Sequence, residues 1–67
     1  VSGKEMVKLL EKVGWYATRQ RGSHIMMKKT GVYYTLAVPQ HKQLVKGTLA
    51  TLMNEAGLTA QDLRDML

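Results

Sequence analysis

The stretch WYATRQRGSHIMMKKTGVYYTLAV, residues 15–38, decides the fold of this chain. It is rich in aromatic and β-branched residues, which favour strands, and the pairs Arg21-Gly22 and Thr30-Gly31 divide it as turns. We expect Pro39 to end the last strand because its ring nitrogen has no hydrogen to donate to a strand ladder. The pattern predicts three antiparallel strands, near residues 15–20, 23–29 and 32–38.

An amphipathic helix is predicted before the strands. Ser2 and Glu5 have the spacing of a capping box, in which each side chain accepts a hydrogen bond from the other residue's backbone. Gly14 stands where a helix-ending glycine is expected, so we place the helix over residues 3–13. The apolar stripe of this helix consists of Met6, Leu9, Leu10 and Val13.

A second helical pattern follows the strands. Residues 39–46 are expected to form a loop, and Gly57 is placed to end the helix that comes after it. Leu58 is positioned for the hydrophobic contact of a Schellman motif, and Thr59 to cap a last short helix. The stripe of the second helix consists of Leu49, Leu52, Met53 and Ala56, and the last helix bears Leu63, Met66 and Leu67.

The predicted order of elements is therefore α-β-β-β-α, with a short helical segment at the end. Strands grouped between helices predict an α+β fold, with a three-stranded antiparallel sheet and both helices packed on one face. Residues 1–67 are expected to form a single domain, because a chain of 67 residues has no room for a second one.

The composition narrows the classes of function. Ten Lys and Arg residues against five Asp and Glu residues give a net charge of +5, which favours an anionic partner such as nucleic acid, a membrane surface or an acidic protein. No apolar run approaches the length of a membrane span, so we expect no transmembrane helix. Of the three kinds of anionic partner, we do not expect the membrane. The chain has no cysteine and only two histidines, so we expect no bound metal and no cofactor.

The alternation of side chains along strands predicts which residues share a sheet face. Two-residue turns at 21–22 and 30–31 would place Arg19 opposite His24 and Lys28 opposite Tyr33. The more polar face is then expected to be open, and it holds Trp15, Ala17, Arg19, His24, Met26, Lys28, Tyr33, Thr35 and Ala37. The more aliphatic face is expected to lie under the helices, and it holds Tyr16, Thr18, Gln20, Ser23, Ile25, Met27, Val32, Tyr34, Leu36 and Val38.

His24 is the residue of the polar face best suited to catalysis. RNA can be cleaved without a metal when a base takes the proton of a 2′-hydroxyl and cations stabilise the developing charge, and an imidazole suits that base. From position alone, the alternative is a surface histidine in a basic strand. His41 is expected to be a turn or capping group. The row Lys4, Lys8 and Lys12 is either a solvated helix face or a phosphate track.

The whole chain resembles the HicA family of small toxins from bacterial and archaeal toxin–antitoxin modules. The most specific motifs are Arg19 to His24, RQRGSH, followed by Val38-Pro39 and then Gly47-Thr48-Leu49. The resemblance implies a fold like the double-stranded-RNA-binding domain. It also implies a cytoplasmic endoribonuclease that cuts mRNA to arrest translation, and a HicB-like antitoxin protein as partner.

The family's catalytic histidine carries over to His24. Ile25 stands where many relatives have a second histidine, which disfavours a two-histidine mechanism at this strand. The alternatives are a non-catalytic RNA-binding module of the same fold and an interaction protein whose basic surface docks an acidic partner. The residues expected to bind RNA are Arg19, Arg21, Lys28, Lys29 and Tyr33, with Arg19 and Lys28 nearest the chemistry.

Overall fold

The computed structural model describes residues 1–66 of the chain, and Leu67, expected on the last helix, lies outside the described residues. The three strands form one antiparallel sheet in the order β1-β2-β3, so the predicted α+β fold class is confirmed. None of the helices among residues 1–66 is long and apolar enough to cross a membrane. The elements are α1 Gly3–Lys12, β1 Trp15–Arg21, β2 His24–Lys29, β3 Leu36–Pro39, α2 Lys46–Ala56 and α3 Ala60–Met66.

Helix α1 begins with the predicted capping box. The backbone N–H of Glu5 donates to Ser2 Oγ at 3.0 Å, and the N–H of Ser2 donates to Glu5 Oε1 at 2.8 Å. The backbone N–H of Ser2, followed by its side chain, lowers the pKa of the Glu5 carboxyl. A lowered carboxyl pKa means that the cap contributes stability above the ordinary glutamate pKa, and that this contribution is lost as the pH falls through the lowered value.

The end of α2 and the beginning of α3 also match the predictions. Gly57 adopts the left-handed conformation at φ 73°, and the N–H of Leu58 donates to the Met53 carbonyl at 2.8 Å, which is the long bond of a Schellman motif. Helix α3 begins with a second reciprocal cap. The Asp62 N–H donates to Thr59 Oγ1 at 3.1 Å, and the Thr59 N–H donates to Asp62 Oδ2 at 2.8 Å.

The β1–β2 turn is one residue later than predicted. Arg21 pairs with His24 across a two-residue loop formed by Gly22 and Ser23, so the predicted Arg19–His24 pairing is wrong. Gly22 has φ 59°, as the first loop residue of a type II′ turn requires. A loop at 21–22 would have demanded a positive φ from an arginine, which only glycine adopts without strain.

The β2–β3 connection is longer than predicted. A tight turn does form at Thr30-Gly31, where the Val32 N–H donates to the Lys29 carbonyl at 3.0 Å and Gly31 has φ 86°. A positive φ at the second loop residue alone is typical of a type II turn, whose twist splays the strands instead of closing a hairpin. Strand β3 therefore starts at Leu36, and the predicted pairing of Lys28 with Tyr33 is wrong.

Pro39 is the last residue of β3 and does not interrupt its pairing. The Gln40 N–H donates to the Ser23 carbonyl at 2.6 Å, so the adjacent pair, His24 with Pro39, is a non-hydrogen-bonded pair of the antiparallel ladder. At such a position no N–H is directed at β2. Proline is therefore tolerated in this edge strand.

The hydrophobic core lies between one sheet face and the helices. Helix α1 contributes three residues, α2 contributes Leu52, and the loop before α2 contributes Leu44. The buried apolar residues are Met6, Leu9, Leu10, Trp15, Met27, Leu36, Val38, Leu44 and Leu52. Tyr34 holds the β2–β3 connection over this core, because its ring centroid lies 6.0 Å from that of Trp15 and its hydroxyl donates to the Glu55 carbonyl.

Helix α1 approaches the end of β3 very closely at Gly3. A Cβ atom at this position would lie 2.0 Å from the Pro39 carbonyl oxygen, and the Gly3 N–H donates to the His41 carbonyl at 2.9 Å. Backbone meets backbone here, so no side chain can move aside. Glycine at position 3 therefore fixes how the first helix sits on the third strand.

We expect Gly3→Ala to destabilise the fold, because overpacking of this kind costs about 1–3 kcal/mol or more. In a domain of this size each kcal/mol lowers the melting temperature by about 4–8 °C. The matched control is Gly47→Ala, because a Cβ on Gly47 in α2 would meet nothing within 4 Å. Alanine there should keep or slightly raise the melting temperature. Equal melting temperatures for the two variants, measured by circular dichroism, would contradict the close approach at Gly3.

Candidate functional site

The sheet face turned away from the core carries most of the sequence-predicted site residues. His24 lies on the central strand β2 and is exposed, with Arg21 opposite it on β1 and Pro39 opposite it on β3. Residues of the three strands that share this side are referred to below as the open face. By register they are Tyr16, Arg19, Arg21, His24, Met26, Lys28, Ala37 and Pro39.

A β-bulge in β1 decides which of its residues reach the open face. The register shifts by one residue between Ala17 and Arg19, which leaves Thr18 as the extra residue. Before the bulge, Trp15 points into the core and is 3% exposed, whereas Tyr16 is 48% exposed. The prediction that Trp15 lies on the open face and Tyr16 on the core face is therefore wrong, because the bulge inverts the alternation of this part of the strand.

After the bulge, both arginines of β1 share the side of the histidine. Arg19 pairs with Met26, and Arg21 pairs directly with His24. Directly opposed residues on one sheet face have Cβ atoms about 4.5–5.5 Å apart. The cation nearest His24 is therefore Arg21, and Arg19 lies one pair further along the strand, whereas the sequence predicted Arg19 and Lys28 as nearest.

The open face contains a shallow trough made of two adjoining depressions. One is lined by Arg21, Gly22, His24, Met26 and Ala37. The other is lined by Thr18, Arg19, Arg21, Met26, Lys28 and Thr35. The depressions share Arg21 and Met26, so the trough has an apolar floor at Met26 and cationic side chains along its rim.

Lys28, Lys29 and Tyr33 are placed differently from one another. Lys28 belongs to the open face, four residues along β2 from His24. Lys29 has the opposite parity and is half-buried, and its Cε would lie 3.2 Å from a Cβ placed on Gly14. Tyr33 lies in the β2–β3 connection, is 99% exposed and packs edge-on against Tyr34. Of these three predicted RNA-binding residues, only Lys28 is brought to the trough.

The pairing of Arg21 with His24 could have been deduced from the sequence. In the string Arg21-Gly22-Ser23-His24, a two-residue loop can begin at Gly22. The positive φ that the first loop residue of a type II′ turn requires then falls on a glycine. That placement pairs Arg21 with His24. The exposure of Tyr16 had no comparable signal, because no glycine or proline marks the bulge at Thr18.

The arrangement of charges on the trough suits an anionic ligand with a reactive hydroxyl. Imidazole can accept or donate a proton near neutral pH, and a guanidinium stays charged and can bind two phosphate oxygens at once. All five acidic residues lie on helices, namely Glu5, Glu11, Glu55, Asp62 and Asp65. Within residues 1–66, no three histidine, aspartate or glutamate side chains are grouped so as to hold a metal ion.

A family model and solved structures both match this chain. The sequence model of the family described as "HicA toxin of bacterial toxin-antitoxin" matches residues 3–58. A solved chain in a toxin–antitoxin complex from Streptococcus pneumoniae is 43% identical, with a TM-score of 0.76, and the match covers 85% of this chain and 97% of that one. A second solved chain, in a complex described as "HicA3 and HicB3 toxin-antitoxin complex", is 29% identical, with a TM-score of 0.73 and coverages of 90% and 98%. A search of curated proteins finds no match.

We expect deletion of Thr18 to disrupt both the core and the trough. Without the extra residue, β1 can keep Trp15 buried only by turning Arg19 and Arg21 toward the helices, or keep the arginines outside only by expelling Trp15. Loss of a buried aromatic costs about 3–5 kcal/mol. The deletion variant should therefore melt far below the parent protein or fail to fold. Thr18→Ser, which keeps the residue count and the hydroxyl that donates to the Met26 carbonyl, should melt close to the parent. A deletion variant that melts like Thr18→Ser would rule out this role for the bulge.

Proposed function

Because the chain belongs to the HicA toxin family, we propose that it is the ribonuclease toxin of a toxin–antitoxin pair and cleaves mRNA to arrest translation. The observation that carries the proposal is the pairing of His24 with Arg21 on the open face. The site thus combines an imidazole, which can accept and donate a proton, with the permanent positive charge of a guanidinium beside it.

His24 acts as the general base in this mechanism. Its neutral imidazole takes the proton of an RNA 2′-hydroxyl, and the oxygen attacks the adjacent phosphorus. The bond to the 5′-oxygen of the next nucleotide breaks, and that oxygen receives the proton back from His24, directly or through water. The products are a 2′,3′-cyclic phosphate and a 5′-hydroxyl. DNA resists cleavage because it has no 2′-hydroxyl.

Cations of the open face hold the RNA backbone and stabilise the transition state. Arg21, directly across from His24, faces the phosphate under attack, where negative charge develops. Arg19 and Lys28 bind neighbouring phosphates along the trough. Lys29 and Tyr33, also expected to bind RNA, lie outside the trough, so their contacts are confined to RNA that extends beyond it.

Cleavage proceeds without a metal ion in this proposal. Magnesium sites need several oxygen ligands, usually including carboxylates. All five acidic side chains lie on helices, whereas His24 lies on the open face of the sheet. The 2′-hydroxyl then serves as nucleophile without any need for metal-activated water.

A non-catalytic RNA-binding module of the same fold is the second candidate function. Binding to a phosphate backbone needs only the cations, which the trough supplies in any case. The presence of an exposed imidazole opposite Arg21 favours cleavage, because a histidine adds proton transfer to a surface that arginine and lysine alone could charge.

We also propose a HicB-like antitoxin as protein partner, with the cytoplasm as the place of action. Both solved relatives occur in toxin–antitoxin complexes. A toxic ribonuclease must be silenced in its own cell, and a net charge of +5 steers an acidic partner toward it. An antitoxin that covers the open face would block the trough and His24 together.

We expect His24→Ala to abolish growth arrest on induction and RNA cleavage in vitro, while the variant folds normally. Loss of a general base costs about 10²–10⁴-fold in rate. The matched control is His41→Ala, which removes the other histidine of the chain and should have a milder effect. Circular dichroism and melting temperature establish that both variants are folded. A folded His24→Ala protein that still cleaves RNA would disprove the catalytic assignment.

The same assay tests the chemistry. Cleavage should persist in EDTA, should leave cyclic or 3′-phosphate ends by mass spectrometry, and should stop when the cut site carries a 2′-deoxy substitution. Loss of activity in EDTA, or 5′-phosphate ends, would contradict the metal-free mechanism.

RNA affinity should depend steeply on salt through the trough cations. The slope of log affinity against log salt is about −0.7 per phosphate contact for single strands. Arg19→Ala, Arg21→Ala and Lys28→Ala should each flatten it by about one such increment. Lys29→Ala, on the opposite side of β2, serves as the matched control and should change the slope least. Unchanged slopes for the three trough variants would place the RNA elsewhere, with the row Lys4, Lys8 and Lys12 as the first surface to test.

A further inference from the structure

Tyr16 is an exposed aromatic side chain on the same sheet face as His24. It pairs with Lys28, and Lys28 lies on the same side of β2 as Met26 and His24. The residue is 48% exposed, so its side chain is open to contact by a ligand. Lys28 lies four positions along β2 from His24, which places Tyr16 about 13 Å from the histidine in the direction of the strands.

Packing of the hydrophobic core does not account for an aromatic residue at position 16. Its side chain lies opposite the core that holds Trp15, and the residues packed on or around that core do not include it. A tyrosine hydroxyl can anchor a side chain by hydrogen bonding, as Tyr34 does. Tyr16 lies instead on the edge strand β1, at a register position that belongs to the open face.

The surroundings of Tyr16 combine the two elements that single-stranded nucleic acid requires. Cations that track a phosphate backbone, here Arg19 and Lys28, line the neighbouring trough, and an apolar surface at Met26 forms its floor. Aromatic rings beside such a groove stack on bases, and this stacking tolerates any base because every base has a flat face.

Building on the proposed ribonuclease function, we infer that Tyr16 is a base-stacking subsite that holds a nucleotide near, but not at, the cut. With the scissile phosphate at His24 and Arg21, an RNA strand that follows the trough past Arg19 brings a nearby base over the Tyr16 ring. The stack fixes the position of the strand, while the phosphate contacts supply most of the long-range attraction.

The same geometry selects single-stranded RNA. A base can lie flat on a tyrosine only when it has left its own stack, and the bases of an A-form duplex are stacked and paired. A duplex can reach the cations of the open face but cannot occupy the Tyr16 subsite. Loops and unpaired segments of RNA are therefore the ligands that engage both.

The experiment measures binding separately from cleavage. The probe is a short single-stranded oligonucleotide of 2′-O-methyl RNA, which lacks the nucleophilic hydroxyl and stays intact. Its affinity is measured over a range of salt concentrations for the parent protein and for Tyr16→Ala, Tyr16→Phe and Tyr33→Ala. An abasic scan of the same oligonucleotide then removes one base at a time, and melting temperatures show that each variant is folded.

We expect Tyr16→Ala to weaken binding about 5-fold or more at every salt concentration, with an unchanged slope, because stacking releases no counterions. Tyr16→Phe should bind like the parent, and Tyr33→Ala should have little effect. One abasic position should weaken binding to the parent but not to Tyr16→Ala. The base removed there is the one that stacks on Tyr16, and the variant has already lost that contact.

Two results would overturn the inference while leaving RNA binding intact. In one, Tyr16→Ala binds the oligonucleotide like the parent. In the other, every abasic substitution weakens the parent and Tyr16→Ala equally. If the parent itself bound neither this probe nor unmodified RNA, the proposed ribonuclease function would fail first, and the inference with it.

Discussion

The single extra residue of β1 is the constraint on which both the core and the open face depend. An unbroken strand places every second residue on the same side, so Trp15 in the core would bring Arg19 and Arg21 to the core side with it. The bulge at Thr18 reverses the alternation halfway along the strand. One strand of seven residues thereby contributes the one tryptophan to the core and two guanidinium groups to the opposite side.

The helices between residues 1 and 66 leave that opposite side open. A three-stranded sheet has two faces, and the core formed with these helices lies on one of them. His24 sits on the middle strand, so its neighbours on both sides are held by ladder pairing rather than by loops. A site built on paired strands is held more rigidly than one on loops, which suits proton transfer at a defined distance.

Local signals in the sequence predict the helices and half of the sheet. The caps at Ser2 and Thr59 and the end of α2 at Gly57 depend on neighbours within a few residues, so they can be deduced from spacing. The β2–β3 register differs from the prediction by two residues, an even shift that preserves the faces, so Ile25, Met27, Leu36 and Val38 were assigned to the correct side.

The rest of the sheet depends on features with weak or ambiguous local signatures. The turn at Gly22-Ser23 differs by one residue from a plausible alternative, and the twist of the turn at Gly31 decides whether a hairpin closes. The bulge depends on how the core packs and how β1 pairs with β2, and both involve residues distant in the sequence. No dipeptide therefore marks it. Consequently the sequence predicts the correct face for His24, but it predicts neither the cation nearest to it nor the exposure of Tyr16.

Burial of the only tryptophan also gives the molecule an intrinsic fluorescent probe. Trp15 is 3% exposed on the core side of the sheet, whereas the trough lies on the other side. Its fluorescence therefore reports the packing of α1, the sheet and the connection that carries Tyr34, with no dye attached. A ligand bound in the trough does not touch the indole, so the emission distinguishes unfolding from occupancy of the site.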